Sequence, residues 1–271
     1  MSGETVRSHF GALAEDGVWA SLYQPGAQVG PSAWSFLVRA RRVVELMQIE
    51  KSPCHSVLDV GCGTAPIARS LVAMGTHYTG VDFSDQMVET AKQGLSDLVS
   101  SGRASLHVGD AINTGFAADT FDAVIAMGLL EYLSAAGAGE AIAEAVRVLR
   151  PGGVAIFTIP KRLSWARAVE ALLHPVGRVI RWRPQTEGAR LERKEAFERL
   201  WLAPNELDRI CRREGLEKLR HRHYNTQVLC RPATLVAPRL CWFVNRPLEG
   251  VASVPGFSFL ATGYIGMYRR A

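Results

Sequence analysis

The amino-acid sequence predicts an α/β protein in which helices cover both faces of a mostly parallel sheet. Within residues 56–160, short apolar strands alternate with helical patterns, as in parallel α/β sheets. Several of these strands end in an acidic residue, and ligands in such sheets bind beyond the carboxyl ends of the strands. The chain has 271 residues, of which 48% are hydrophobic, so we expect one domain with a sizeable core.

The first strand leads into a turn that contains two glycines. An apolar pair precedes Asp59, and Gly61 and Gly63 follow before a helical pattern that begins at Ile67. Two glycines allow a tight turn and let backbone N–H groups come close to a ligand. Because ordinary strand ends also contain glycine pairs, this turn alone does not specify a nucleotide site.

The next three strands favour a nucleotide-like cofactor. The second strand, residues 78–82, ends in a carboxylate at roughly the twenty-residue distance where nucleotide-binding folds place an acid for the ribose hydroxyls. The third strand, residues 106–110, ends in another acid, and residues 121–127 form the fourth. Since parallel strands end at one edge of the sheet, we expect these acids to lie along that edge.

A third glycine is missing from the turn after the first strand. Dinucleotide-binding turns complete Gly-x-Gly-x-x-Gly, which lets the helix pack close to the pyrophosphate. Here Pro66 occupies the third position. This departure argues against NAD or FAD and favours a cofactor without a pyrophosphate.

Five segments, taken in order, resemble the class I S-adenosylmethionine-dependent methyltransferases. They are residues 57–64, 80–82, 109–111, 121–133 and 148–160. The ordered set is far more specific than any single segment. The resemblance implies a Rossmann-like seven-stranded sheet with helices on both faces, S-adenosyl-L-methionine as the cofactor, and enzymatic methyl transfer.

The resemblance also implies how the cofactor is held. The acid and glycine turn after the first strand would hold the methionine portion, the acid after the second strand the ribose, and the acid after the third strand the adenine. Met127 would lie near the sulfonium. The cofactor-binding residues implied in this way are Tyr23, Asp59, Gly61, Cys62, Gly63, Asp82, Phe83, Met87, Asp110, Ala111 and Met127.

Two helical patterns precede the first strand and form a predicted N-terminal helical cap over residues 1–50. They cover residues 10–23 and 36–46, with a Gly- and Pro-containing break between them. In the family, such a helix often lies over the cofactor. Tyr23 is therefore a predicted cofactor contact, with packing as the alternative, and residues 51–271 would form the methyltransferase domain.

The rest of the chain is predicted to complete the sheet and to cover it. Residues 204–211 resemble the helix after the fifth strand, residues 215–219 lead to a sixth strand, and residues 259–268 form the last, antiparallel strand. Two insertions, at about 161–203 and 225–256, exceed what the fold needs. Long loops in compact domains are usually functional or disordered, and the aromatic residues of these two favour order. We expect a cap that selects the substrate.

Three residues are candidates for the reaction: His221, His223 and Tyr132. An oxygen or carbon acceptor must lose a proton, so a base is expected near the methyl group. Strand alternation would place both histidines on one face, although a basic run at a strand end is more often a solvated edge. Tyr132 follows Glu131 where relatives commonly have Glu-His. Because a phenol is a poor base near neutral pH, we expect these two residues to orient the acceptor.

Positive charge is concentrated in the later part of the chain. Residues 1–160 hold 10 basic and 16 acidic residues, whereas residues 161–222 hold 16 basic and 9 acidic. Residues 161–184 combine apolar and basic positions, which suits an anionic membrane surface or a lipophilic substrate, with a solvated cap helix as the alternative. The arginines of this pattern are Arg162, Arg167, Arg178, Arg181 and Arg183. Nucleic-acid binding is not favoured, since we find no base-methylation motif or RNA-binding module.

Composition argues against several other classes. The five cysteines form no Cys-x-x-Cys pair, so neither a disulfide framework nor a metal site is indicated. The N-terminal residues contain no apolar leader, and no eighteen apolar residues run without a charge. We therefore expect a cytoplasmic protein, with possible peripheral contact to the inner membrane surface. The oligomeric state is not indicated by any pattern.

These observations predict a methyltransferase that acts on an oxygen or carbon atom of a small lipophilic or aromatic acceptor, such as a quinone, a tetrapyrrole or a specialised metabolite. Residues 6–23 also resemble, over a short stretch, tetrapyrrole and quinone methyltransferases. One alternative is a phosphate- or diphosphate-bearing acceptor held by the arginine-rich cap. Another is a noncatalytic adenosylmethionine-binding regulatory subunit, because strand-end acids predict binding but do not prove turnover.

Overall fold

The part of the chain described below forms one seven-stranded sheet, as seen in a computed structural model. The structure describes residues 31–50, 54–179, 199–230, 233, 237–254 and 256–271. The strands are β1 (Ser56–Val60), β2 (His77–Asp82), β3 (Ala104–Val108), β4 (Phe121–Ala126), β5 (Leu149–Pro160), β6 (Leu216–Thr226) and β7 (Ala261–Arg270). In space they follow the order β3-β2-β1-β4-β5-β7-β6.

Strand direction defines the edge at which a site can form. The first five strands pair in parallel, and β7 runs antiparallel to both β5 and β6. β6 therefore has the same direction as β1 to β5. This arrangement confirms the predicted Rossmann-like α/β fold and its antiparallel last pair. The six parallel strands all end at one edge of the sheet, which we call the carboxyl edge.

Helices cover both faces of the sheet. They are α1 (Pro31–Ile49), α2 (Ala68–Val72), α3 (Asp85–Gly94), α4 (Ser96–Ser100), α5 (Ala135–Val148), α6 (Trp165–Val179), α7 (Pro204–Arg213) and α8 (Pro238–Asn245). Helices α1 to α4 contribute to the apolar core on one face, and α5 and α7 to the core on the other. Helix α1 contains the second predicted N-terminal pattern, whereas the first pattern lies outside the described residues.

The central strands are buried on both faces, which explains their continuous apolar runs. Val57 and Ile125 are fully buried in one core, and Leu58 and Val124 are fully buried in the other. Such two-sided burial is typical of parallel strands covered by helices. Each fully buried aliphatic side chain of this size contributes about 1.5–3 kcal/mol relative to an exposed one.

Several predicted boundaries differ from the structure, including those of β3, β6 and α2. β3 ends at Val108, because Asp110 turns away and bridges with Asn113. β6 continues to Thr226, which pairs with Ala261, so the basic residues near its end lie inside the strand. Helix α2 begins one residue after the predicted start. Pairing with β7 explains the longer β6, since this edge strand has few apolar residues to reveal it.

Both insertions leave the sheet at the carboxyl edge, where β5 and β6 end. The first contains α6, and the second contains α8 and short 3-10 turns at Val251–Ser253 and Ser258–Leu260. The Trp165 indole donates to the Val228 carbonyl at 3.2 Å, and the Trp34 and Trp242 rings meet edge to face at 6.2 Å. The described parts of the insertions thus contact each other and α1.

A buried carboxylate fastens the second insertion to the sheet. The Glu249 side chain accepts hydrogen bonds from the N–H groups of Asn225 at 2.7 Å and Thr226 at 2.9 Å. Burial raises the pKa of Glu249, and this effect exceeds the opposite effect of the two N–H groups. This contact fixes the return of the insertion toward the end of β6. None of the described helices is both long and apolar enough to cross a membrane.

Candidate active site

The carboxyl edge contains a buried acid near the end of β1. Asp59 has 1% of its surface exposed. Its Oδ2 atom accepts a hydrogen bond from the Tyr78 hydroxyl at 2.8 Å, whereas its buried Oδ1 atom has no hydrogen-bond partner among the described residues. Burial raises the pKa of Asp59 to about 7, against the Tyr78 hydrogen bond, which lowers it. This acid therefore retains an unused acceptor.

The turn after β1 requires glycine for both conformation and space. Gly61 and Gly63 have φ angles of +69° and +53°. The N–H groups of Gly61 and Cys62 donate to the Val81 carbonyl at 2.8 and 3.1 Å, which ties the turn to β2. A Cβ atom at Gly61 would lie 2.9 Å from Leu129 Cδ1. The turn is therefore confined between β2 and the segment that follows β4.

Asp82 connects this turn with the start of α3. Its Oδ2 atom accepts the Gly63 N–H at 2.8 Å, and its Oδ1 atom accepts the Ser84 N–H at 3.0 Å. Burial raises the pKa of this carboxyl, although the N–H groups of Ser84, Gly63 and Phe83 favour its charged form. The Ser84 hydroxyl caps α3 by accepting the N–H of the buried Met87 at 3.3 Å. The predicted cofactor residues Gly63, Asp82, Phe83 and Met87 thus belong to one hydrogen-bonded unit.

Asp110 and Ala111 follow β3 at the same edge. The exposed Asp110 accepts the Ile112 N–H at 3.2 Å, and Ala111 is half-buried against the second core. The Gly109 N–H donates to the Asp82 carbonyl at 2.9 Å. This bond holds the predicted adenine-binding pair next to the predicted ribose-binding acid. Tyr23, the remaining predicted contact on the N-terminal side, lies outside the described residues.

Met127 and Gly128 follow β4, in the middle of the carboxyl edge. Met127 is buried in the first core. Gly128 has a φ angle of +75°, and its N–H donates to the buried Thr158 hydroxyl on β5 at 2.8 Å. This left-handed turn sends the chain away from the sheet immediately after Met127. The site predicted for the methyl group thus has a fixed backbone.

A buried ion pair lies beside this turn and was not predicted from the sequence. The Arg39 guanidinium of α1 is 3.4 Å from Glu131 Oε1, and both side chains are buried. A Cβ atom at Gly128 would lie only 2.4 Å from Arg39 Nη1, so the guanidinium occupies the space that the glycine leaves open. The Phe36 ring lies 4.9 Å from the same guanidinium. The pair fastens α1 to the segment after β4.

Tyr132 lies directly after this pair and contacts the segment before α7. The Leu200 N–H donates to the Glu131 carbonyl at 2.9 Å. The Arg199 guanidinium is 5.5 Å from the centre of the Tyr132 ring. Tyr132 is half-buried at the carboxyl edge, next to the strand that leads to Met127. Tyr132 thus lies in the same segment after β4 as Met127, whereas the two histidines lie in β6.

His221 and His223 lie inside β6, the edge strand. Their rings are 5.6 Å apart, and they contact the Tyr264 ring of β7 at 5.7 and 5.5 Å. The two histidines therefore share one face, as strand alternation predicts. Burial first and Lys161 second lower the pKa of His223 to about 4, and burial lowers that of His221. β6 is three strands from β4, or about 14 Å at the usual strand spacing.

The arginines of the predicted basic segment have different environments. Arg162 is exposed, whereas the Arg167 guanidinium lies 3.6 Å from the centre of the Trp201 ring. The side chain of Arg178 lies outside the described part of the chain, as do Arg181 and Arg183 entirely. Arg167 therefore packs the beginning of the first insertion against its last residues, just before α7.

The residues at the ends of β1 and β2 fit the polar groups of S-adenosylmethionine. The buried Asp59 Oδ1 atom can accept a hydrogen bond from an ammonium group or an ordered water molecule. A carboxylate provides about four acceptor positions, so the Asp82 carboxylate, which accepts backbone N–H groups here, retains capacity for a hydroxyl. The glycine turn between them has no side chains at Gly61 and Gly63 to block a close approach of its backbone. These two carboxylate acceptors and the open glycine turn thus suit a ligand that carries an amino group and ribose hydroxyls.

Comparison with known proteins identifies a methyltransferase domain within the chain. Residues 57–153 match the model of a methyltransferase domain. The chain is 32% identical over 130 residues to the ubiquinone/menaquinone biosynthesis C-methyltransferase of Geotalea daltonii, covering 45% of this chain and 54% of that protein. It is 29% identical over 164 residues to the ubiquinone biosynthesis O-methyltransferase of Aromatoleum aromaticum, covering 59% and 63%. The chain thus spans about half the length of the curated relatives it matches.

The fold agrees with this match over the whole chain. The crystal structure of magnesium protoporphyrin IX methyltransferase from Synechocystis with bound SAH superposes with a TM-score of 0.66 at 17% identity, covering 100% of both chains. At this identity the likeness describes the fold alone. The sequence match and the fold together support a class I S-adenosylmethionine-dependent methyltransferase.

Proposed function

We propose that this protein transfers a methyl group from S-adenosylmethionine to an oxygen or carbon atom of a small lipophilic or aromatic acceptor, such as a quinone or a tetrapyrrole. The observation that carries the proposal is the buried set formed by Asp59, the glycine turn and Asp82 at the carboxyl edge. The relatives named for ubiquinone and menaquinone biosynthesis support the choice of a lipophilic acceptor.

The cofactor would be held by residues from three neighbouring strands. Asp59 and the backbone of Gly61 to Gly63 would hold the methionine portion, Asp82 the ribose, and Asp110 with Ala111 the adenine. When bound, S-adenosylmethionine supplies an electrophilic methyl group on its sulfonium. Because Asp82 is fixed by backbone N–H groups from both sides, its carboxylate is already oriented before a ligand arrives.

The acceptor would lie beyond the ends of β4 and β5, under the two insertions. There Met127 and the Gly128 turn would form one wall, and the Arg39–Glu131 pair would close the side toward α1. Tyr132 is placed to orient the acceptor through its ring or hydroxyl. Since methyl transfer depends strongly on aligning the reacting atoms in a dry pocket, positioning by these residues is the main catalytic role that we assign.

The position of His221 and His223 favours packing on β7 over proton transfer. Both have lowered pKa values and are neutral near pH 7, which a base requires. However, their rings contact Tyr264 and each other on the edge strand, about three strand spacings from β4. We therefore assign orientation of the acceptor to Tyr132 and a supporting role to the histidines.

The test is to detect methyl transfer with a labelled donor. The protein would be incubated with methyl-labelled S-adenosylmethionine and with lipid and aqueous extracts of its source cell, a quinone that lacks one methyl group, or magnesium protoporphyrin IX. We expect label in a lipid-soluble product, and the Asp82→Ala variant should lose it. Mass spectrometry of that product would identify the methylated atom.

The same experiment separates the alternatives. Label in a phosphate- or diphosphate-bearing product would favour the anionic acceptor and overturn the lipophilic one. Binding of S-adenosylhomocysteine, measured by calorimetry, without transfer to any extract would instead favour a noncatalytic regulatory subunit. Absence of both binding and transfer would contradict the proposed function altogether.

A further inference from the structure

The insertions expose a group of large apolar side chains at the carboxyl edge. Leu163 and Leu172 are 78% and 77% exposed, and Phe243 is 71% exposed. Among the described residues, every strongly exposed Trp or Phe side chain lies in these insertions or in the turn that follows them. We call the group the apolar rim: Leu163, Trp165, Leu172, Leu240, Phe243, Val254, Phe257 and Phe259.

Contacts between the two insertions hold the parts of the rim together. The Lys161 ammonium donates to the Ser258 carbonyl at 2.6 Å, which ties the start of the first insertion to the turn between Phe257 and Phe259. The Trp165 indole donates to Val228 in the second insertion. Helix α6 also contacts the Ser258–Leu260 turn. The apolar side chains of both segments therefore border one stretch of surface.

In the described parts of the two insertions, the exposed charged side chains are basic. Arg162, Arg239 and Arg246 are exposed in the same two insertions. The acidic residues within their described parts are less accessible, because Glu249 is buried and hydrogen-bonded, and Glu170 is half-buried. A surface that combines exposed aromatic and aliphatic side chains with arginines is complementary to an anionic bilayer.

We propose that the apolar rim docks the protein on a bilayer that contains anionic lipid. Apolar side chains would enter the headgroup boundary, and Arg162, Arg239 and Arg246 would contact lipid phosphates. A second copy of the chain fits less well, because the described parts of the insertions expose these arginines but no acidic residue that could pair with them across a symmetric contact. Docking in this way turns the carboxyl edge toward the membrane. The contact extends the proposed function, since a lipophilic acceptor could reach the site without crossing water.

The test is co-sedimentation of the full chain with vesicles of phosphatidylcholine, with and without phosphatidylglycerol. We expect the wild type to bind the anionic vesicles and to be released as salt concentration rises. The double variant Phe257→Ser/Phe259→Ser should bind at least roughly tenfold more weakly, because it removes apolar area from the contact. The double variant Arg162→Gln/Arg239→Gln should lose about fivefold in affinity per arginine.

A matched control uses an exposed apolar residue outside the rim. Met74, in the turn before β2 at the opposite edge of the sheet, is 37% exposed, and Met74→Ser should leave vesicle binding unchanged. Binding of S-adenosylhomocysteine to each variant would verify that it remains folded. The arginine variant provides a second check that does not alter apolar packing.

Several results would overturn the docking proposal. One is wild-type protein that stays in the supernatant at low salt, and another is equal binding by wild type and both rim variants. A third is self-association in size-exclusion chromatography that the Phe→Ser variant abolishes, which would assign the rim to a second copy. Because vesicle binding requires no turnover, failure here leaves the methyl-transfer result unaffected, and failure of methyl transfer leaves the vesicle result interpretable.

Discussion

The two halves of the carboxyl edge are built differently. In the half formed by β1 to β3, contacts join residues close in sequence, such as the Tyr78–Asp59 and Gly63–Asp82 hydrogen bonds, each 19 residues apart. In the half formed by β4 to β7, they join distant residues: Arg39 and Glu131 are 92 apart, and Lys161 and Ser258 are 97 apart. We call β1 to β3 the cofactor half and β4 to β7 the acceptor half. Short sequence motifs thus specify the cofactor half, whereas the acceptor half depends on tertiary packing.

The largest expected effect is a loss of stability from a substitution in the acceptor half. Gly128→Ala should lower the free energy of unfolding by about 3 kcal/mol, because it combines a left-handed backbone with a clash against Arg39. Gly152→Ala is the matched control, since Gly152 has a φ angle of +77° but no atom within 4 Å of the added Cβ. It should cost about 1 kcal/mol. Chemical denaturation measures both.

A double-mutant cycle isolates the clash with Arg39. If the guanidinium causes the additional cost, Gly128→Ala should be less destabilising in an Arg39→Ala background than in the wild type. Equal costs for the two glycine variants in the wild type would contradict the close packing of Arg39 on this turn.

The next effect tests the cofactor half. Asp82→Ala should weaken binding of S-adenosylhomocysteine by about 1.5–3 kcal/mol, as for a lost hydrogen bond to a charged group. Calorimetry measures the affinity. Asp85→Ala, at an exposed position three residues later in the first turn of α3, serves as the control and should leave binding unchanged. Unchanged affinity in Asp82→Ala would reject the assignment of the ribose contact.

The smallest effect is a pH dependence. The pKa of Asp59 is raised to about 7, so the carboxyl is partly protonated near neutral pH. A cationic amino group beside it would favour the carboxylate, and binding would then release a proton. Affinity for S-adenosylhomocysteine should therefore rise by less than about tenfold between about pH 6 and 7, because one proton is released. Asp59→Asn should flatten this dependence.

Stability of the ligand-free protein should change in the opposite direction. Between the ordinary pKa of 3.8 and about 7, folded Asp59 binds more protons than unfolded Asp59. Its contribution to stability is therefore complete below pH 3.8 and is lost as pH rises toward 7. Comparing wild type with Asp59→Asn by denaturation at several pH values isolates this contribution from that of other groups. The same slope in both proteins would contradict the raised pKa.

Most of the sheet could be predicted because local patterns encode it. Apolar runs that end in Asp59 or Asp82, together with glycine turns, marked the strands and their order. The extent of β6 could not be predicted in this way, because Arg220, His221 and Arg222 lack an apolar alternation. These residues become a strand through pairing with β7. Asp110 was placed in a strand although its own side chain stabilises a turn.

The Arg39–Glu131 pair shows why the acceptor half was less accessible to sequence reasoning. A glycine just after a strand, with a glutamate three residues later, indicates that a basic side chain from another element could pack beside the glycine. The sequence gives no means to choose Arg39 as that group, because the choice depends on how α1 lies across the sheet. The roles of the cofactor residues and of the insertions remain predictions. Measurements of cofactor binding can test the first, and replacing an insertion while measuring acceptor turnover can test the second.

The position of β7 has a consequence for biosynthesis. β7 follows β6 in the chain but lies between β5 and β6, so β6 pairs with no other strand of the sheet. As the polypeptide emerges from the ribosome, β1 to β5 can assemble early, while β6 and the segment that Glu249 fastens to it must wait until residues 261–270 have been translated. During that interval, the exposed edge of β5 is open to pairing with another nascent chain. Emergence of residues 261–270 from the ribosome is thus the step that lets β7 pair with β5 and β6 and completes the sheet.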